Sequence, residues 1–107
     1  MFRHVVMIGF SEEATEEQKR ALRDGLTALP EQIPEIRTYR IGDDAGLAPD
    51  NYDLVVVGDF EDRDGFLAYR DHPVHQHLVK NLLRPIQARR AAIQHEWAPA
   101  LPSDLPA

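Results

Sequence analysis

Two short, uninterrupted apolar runs constrain the fold of this 107-residue chain more than any other feature. One run is VVMI at residues 5–8, and the other is LVVV at residues 54–57. Valine-rich runs of this length predict β-strands. Asp53 and Asp59 flank the strand that contains LVVV and are expected to lie at its ends, in solvent. A strand covered on one face alternates apolar and polar residues, and these two do not alternate. Both faces of the two strands are therefore predicted to be buried.

Two further segments carry the signals of helices. In the first, Thr15 and Gln18 form a capping-box pattern, leucines follow at helical spacing, and Pro30 is expected to end the helix. The second covers residues 61–83 and is expected to break near Pro73. Proline lacks a backbone N–H and suits the first position of a helix, so a helix should restart there.

With strands also predicted at residues 36–41 and 87–97, the order of elements is β-α-β-β-α-β. This order is typical of the α+β, ferredoxin-like fold, a four-stranded antiparallel sheet with both helices on one face. Helices can cover only one face of the two apolar strands. A second copy of the same sheet is the natural cover for the other face, so the pattern predicts a homodimer. The alternative is that both runs are strong β-formers on a partly exposed sheet.

Composition limits the domain count and the partners. The chain is long enough for one domain, expected over residues 1–97, followed by a Pro-rich flexible tail at residues 98–107. The net charge of −6 argues against nucleic acid and anionic membranes, because both attract basic surfaces. There is no cysteine, which excludes disulfides and thiolate chemistry. Because no signal-peptide pattern and no membrane-spanning stretch is present, a cytoplasmic protein is expected.

The segment YRDHPVHQHL, residues 69–78, contains three of the five histidines. Apolar residues follow His75 at helical spacing, so His75 is expected to point inward and to be buried and neutral, because burial lowers its pKa. His77 falls on the other side of the helix and should be exposed. His4 shares one face of its strand with apolar residues. If that face meets the helices, His4 and His75 converge on one pocket.

Three interpretations of these histidines are open. A metal site at His72, His75 and His77 is unfavourable, because the third faces outward and the first precedes a proline. A structural role would have His75 and His4 bonded to each other or to the backbone, holding the helix on the sheet. A functional role would make His75 a general base, with Tyr69 orienting or protonating a carbonyl oxygen.

Four pieces of the sequence, RHVV, IPEIRTYRIG, YDLVVVGDFED and YRDHPVHQHL, together resemble the stress-responsive A/B barrel (Dabb) family. The Tyr-x-x-His-Pro-x-His pattern is the most specific, and the similarity runs from about Phe2 to Trp97. The resemblance implies a dimeric α+β barrel. A related plant polyketide cyclase closes a ring by intramolecular aldol condensation, using a histidine and a tyrosine and no metal. By position in the motif these fall on His75 and Tyr69, and the histidine of its first strand falls on His4.

The predicted site follows from both arguments. His75, Tyr69 and His4 are the predicted catalytic residues, and the predicted ligand-binding residues are His72, Leu22, Leu26 and Val79. The predicted ligand is a small, largely apolar molecule with a carbonyl or phenol group, bound without metal or cofactor. Three functions are open. The first is a cofactor-independent binder or enzyme, in its most specific form a polyketide-cyclase-like enzyme. The second is a non-catalytic stress-responsive or structural protein. The third, a cofactor-free monooxygenase, rests on fold analogy.

Overall fold

The computed structural model describes residues 1–98 and has the predicted α+β, ferredoxin-like fold. Its elements are β1 (Phe2–Phe10), α1 (Glu16–Gln32), β2 (Ile36–Asp43), β3 (Leu54–Phe60), α2 (Arg63–Asp71), α3 (Pro73–Leu78) and β4 (Gln87–Glu96). A π-helical turn (Val79–Leu83) and a 3-10 turn (Arg84–Ile86) connect α3 to β4. The Pro-rich tail predicted for residues 98–107 lies, apart from its first residue, outside the described residues.

The four strands form one antiparallel sheet in the order β2-β3-β1-β4, so the two apolar strands are central, as predicted. Alternate residues of β1 behave differently. Val6 and Ile8 are buried against the helices, whereas Val5 is half-buried and Met7 is 39% exposed on the opposite face. We call the face of Val6 and Ile8 the inner face and the face of Val5 and Met7 the outer face. Within one chain, the helices therefore cover only the inner face.

Helix α1 begins as predicted but ends later than predicted. The Thr15 hydroxyl accepts the Gln18 N–H at 3.1 Å, and the Gln18 side chain accepts the Thr15 N–H at 2.9 Å. Pro30 was expected to end the helix, but it lies inside α1. Leu29 and Ile33 are almost completely buried on either side of it. Burial of these two side chains, about 1.5–3 kcal/mol each, at least matches the cost of about 3 kcal/mol for a proline within a helix.

Asp59 is buried, at 5% exposure, which corrects the expectation that it lies in solvent. Its carboxylate accepts two hydrogen bonds from Arg3, at 2.7 and 3.0 Å. It also accepts the Thr38 hydroxyl at 2.7 Å and the Trp97 indole N–H at 3.1 Å. These donors, above all the Arg3 side chain, hold the pKa of Asp59 below its usual value. Asp53 is exposed, as expected.

The outer face of the sheet has an apolar centre. Val5, Val55 and Val57 are half-buried there, and Met7 and Ile93 are more exposed. The prediction that both faces of the central strands are buried is therefore met on the inner face only, within a single chain. Among residues 1–98, no helix has the length and apolar character needed to cross a membrane.

Candidate functional site

A cavity of about 490 Å³ lies between the inner face of the sheet and the helices. Its volume is in the range of sites that hold small organic molecules. The cavity has apolar walls from both layers and a set of polar side chains. Six of the seven predicted site residues line it: His4, Leu22, Leu26, Tyr69, His75 and Val79.

His72, which was predicted to bind ligand, is not among the residues that line the cavity. The residue lies between α2 and α3 with an extended backbone, because Pro73 disfavours a helical conformation in the residue before it. Its Nδ1 accepts the Val74 N–H at 3.1 Å and so caps the first turn of α3. The predicted helix break is thus confirmed. The His72 side chain is used in capping the helix that restarts there.

His75 lines the cavity but is half-buried rather than fully buried as predicted. Its ring stacks on Tyr69, with 4.3 Å between the ring centroids. Its Nδ1 lies 3.0 Å from the carbonyl oxygen of Arg70. A carbonyl can only accept, so Nδ1 carries the proton and the Nε2 of the neutral ring holds a lone pair. Burial lowers the pKa of His75, which favours this neutral form.

His4 is buried, and its Nδ1 accepts a hydrogen bond, whereas the Nδ1 of His75 donates one. The side-chain amide of Gln94 donates to His4 Nδ1 at 2.8 Å, which leaves the proton on Nε2. Burial, followed by the positive charge of Arg90 and by electrostatic coupling to the His75 ring, lowers the pKa of His4 to about 4. His4 is therefore neutral near pH 7, with an N–H to donate and its lone pair already occupied.

Tyr69 is paired with Tyr39 of β2, a residue that was not among the predicted site residues. Their hydroxyl oxygens are 2.7 Å apart, and both side chains line the cavity. Burial raises the pKa of Tyr69 to about 12 and raises that of Tyr39 further. Both phenols are therefore protonated near neutral pH. One hydroxyl donates to the other, so one proton of the pair is free to bond a ligand oxygen.

A glycine inside β3 makes room for this pair. Gly58 lies between His4 on one neighbouring strand and Tyr39 on the other. A Cβ at this position would lie 3.2 Å from the Tyr39 ring and 3.3 Å from the Phe60 ring. A glycine within a strand often marks such a close approach. This glycine is the sequence signal that could have indicated Tyr39.

The cavity is more polar than predicted. Arg70 and Gln76 line it from the helical layer, and Arg84, Gln87, Arg90 and Gln94 line it from the last turn and β4. Strand β4 lies at an edge of the sheet and is mostly exposed. Its sequence therefore lacks the apolar alternation that would have shown which of its residues face inward.

The histidine cluster does not assemble as a metal site. His77 is exposed, as predicted, and its Nδ1 lies 3.0 Å from the side-chain nitrogen of Asn81. His72 caps a helix and His75 bonds a backbone carbonyl. Among residues 1–98, no three histidine, aspartate or glutamate side chains are placed to share a metal ion.

The sequence model of the Stress responsive A/B Barrel Domain (Dabb) matches residues 2–96. This chain belongs to the Dabb family. A stress-response A/B barrel domain-containing protein of Arabidopsis thaliana is 27% identical over 81 residues, which cover 69% of this chain and 67% of that protein. The family was therefore correctly predicted.

Solved structures have the same fold. A dimeric ferredoxin-like protein of unknown function from Thermobifida fusca is 38% identical, covers 90% of each chain and superposes with a TM-score of 0.82. A hydroxynitrile lyase from Passiflora edulis is 17% identical, covers 94% of this chain and 96% of its own, and has a TM-score of 0.82. At that identity, the second likeness shows the fold alone.

Proposed function

We propose that this Dabb-family protein binds a small carbonyl compound or phenol in its cavity and transfers a proton at it. One observation carries the proposal: a half-buried histidine, stacked on a tyrosine, is held in the tautomer whose Nε2 is unprotonated. A general base needs a free lone pair and a neutral form near the working pH. His75 has both, because the Arg70 carbonyl binds its only proton and burial lowers its pKa.

The proposed step uses groups that line the cavity. Nε2 of His75 takes a proton from the carbon beside the carbonyl, and the C–H electron pair forms the double bond of an enolate. The Tyr69–Tyr39 pair and the His4 N–H donate hydrogen bonds to the oxygen that gains charge. The enolate carbon then takes a proton back, or it attacks a second carbonyl of the same molecule. In the second case a ring closes, and the new alkoxide takes the proton from His75, as in a cyclase.

Hydrogen exchange tests this step without knowledge of the natural substrate. β-Benzoylpropionate, an aryl ketone with a methylene beside its carbonyl, is incubated with the protein in heavy water. Proton NMR follows the loss of that methylene signal. We expect the protein to accelerate exchange above an equal concentration of free imidazole. Exchange no faster than with imidazole would contradict the proposal.

The structural alternative also has observations in its favour. His75 donates a hydrogen bond to the Arg70 carbonyl, which links α3 to α2. His4 accepts one from Gln94, which links the side chains of β1 and β4. On this alternative, removing His75 lowers stability and there is no exchange to lose. The monooxygenase hypothesis stays a prediction, which oxygen uptake in the presence of a phenol would test.

We also propose that two copies pair through their outer faces, as the apolar runs predict. The half-buried valines of that face and the dimeric state of the Thermobifida fusca protein support this. Val57→Asp places a charge at the centre of the face and is expected to give monomers or insoluble protein. Leu47→Asp is the matched control, because Leu47 is 89% exposed in a loop. Sedimentation of the unmodified protein as a monomer at micromolar concentration would refute the pairing.

A further inference from the structure

The charge of the cavity lining is opposite to that of the whole protein. The chain has 18 acidic residues and 12 lysines and arginines. Within residues 1–98, the cavity lining nevertheless contains three arginines and no aspartate or glutamate. A positively lined cleft in an acidic protein attracts anions and holds them in one place. The general step proposed above gives no reason for this concentration of arginines.

Two of the three arginines are available to a ligand. Arg70 is already paired with Asp71, through contacts of 2.8 and 3.1 Å. Arg84 and Arg90 form no ion pair with any carboxylate in residues 1–98. A guanidinium group presents several N–H donors in a planar fork that matches a carboxylate.

The sheet register separates these charges from the proposed reacting groups. Arg90 lies opposite Ile8 on β1, and Gln94 lies opposite His4. Four residues along an antiparallel strand correspond to about 13 Å between Cα atoms, a span that the long arginine side chain shortens at its guanidinium. Arg90 therefore lies towards one end of the cavity and His4 towards the other. The Arg90 charge still acts within the cavity, because it contributes to the low pKa of His4.

We propose that the ligand of this cavity is a carbonyl compound that also carries a carboxylate, which Arg84 and Arg90 bind while the carbonyl end reaches His75 and Tyr69. This inference rests on the proposed function, because it names the class of molecule that the same cavity takes. Binding the carboxylate at the far end would hold the carbon beside the carbonyl near Nε2, which favours the proton transfer by orientation.

Calorimetric titration with β-benzoylpropionate and with its uncharged methyl ester tests the inference. The unmodified protein is expected to bind the acid about tenfold more tightly than the ester, the size of one charge-assisted hydrogen bond. In the Arg84→Gln/Arg90→Gln double variant, affinity for the acid should fall by about tenfold while affinity for the ester stays the same. Arg20→Gln is the matched control, since Arg20 is an exposed arginine outside the cavity lining.

The outcomes distinguish this inference from the proposed function. Equal binding of acid and ester, or a preference for the acid that survives in the double variant, overturns the carboxylate inference alone. A preference for the acid that the double variant loses, without ketone exchange, supports the inference and overturns the proton-transfer proposal. Failure of both compounds to bind overturns both. Retained ester binding by the double variant shows that its cavity is intact.

Discussion

Replacing His75 with phenylalanine is expected to slow exchange of the ketone methylene by about 100-fold or more, the usual contribution of a positioned general base. Phenylalanine keeps a ring against Tyr69 but has no lone pair. The Arg70 carbonyl, which His75 bonds, keeps a second donor, because the side chain of Gln76 lies 2.6 Å from it. The variant should therefore stay folded, and the loss should be confined to the proton transfer. Rates from proton NMR, with circular dichroism of the same samples, check both expectations.

His77→Phe is the matched control, because His77 is an exposed histidine of the same short helix outside the cavity lining. It should keep the exchange rate of the unmodified protein. Full activity of His75→Phe would contradict the proposed base. A protein that shows no exchange, and that loses about 1–3 kcal/mol of stability in His75→Phe, would instead support the structural alternative.

Asp59→Asn is expected to lower the free energy of unfolding by about 2–4 kcal/mol, because it removes a buried charge that accepts four hydrogen bonds. The amide has one acceptor oxygen, and its own N–H groups would face donors from Arg3, Thr38 or Trp97. The melting temperature should fall by about 10 °C or more. Thermal and urea unfolding at one fixed protein concentration measure this effect.

The pH dependence of stability gives a second readout for Asp59. Its pKa in the folded protein is below the ordinary value of 3.8, so its contribution is present above that value. The contribution is lost as the pH falls from there through the folded pKa. Asp59→Asn should lose this part of the acid dependence, whereas Asp24→Asn, at an exposed position of α1, should keep it. Equal stability of Asp59→Asn and the unmodified protein would contradict the role of this carboxylate.

The fold could be predicted because its signals are local. The VVMI and LVVV runs indicated the central strands, the capping box indicated the start of α1, and Pro73 indicated the helix break. The inward positions of His4 and His75 followed from strand alternation and helical spacing. In each case, neighbours in sequence determine the direction of the side chain.

The polar half of the site and the burial of Asp59 could not be predicted, because both depend on contacts between distant segments. Tyr39 belongs to the site only because β2 lies beside β3 and brings it to Tyr69. Arg90 and Gln94 lie on an exposed edge strand whose sequence does not show which side faces the helices. Asp59 looked like a solvated strand end, since its partner Arg3 is 56 residues away. His72 does not line the cavity. Its side chain caps α3, the helix that begins at Pro73.

The protonation state of His75 is the most direct test of the central claim that this cavity holds a neutral base with a free Nε2. Long-range proton–nitrogen NMR correlations of the histidine rings, recorded across a pH titration, report both the tautomer and the titration midpoint. We expect that neutral His75 carries its proton on Nδ1 and titrates below the ordinary value of 6.5. A proton on Nε2 of the neutral ring, or a His75 that is charged at pH 7, would contradict it.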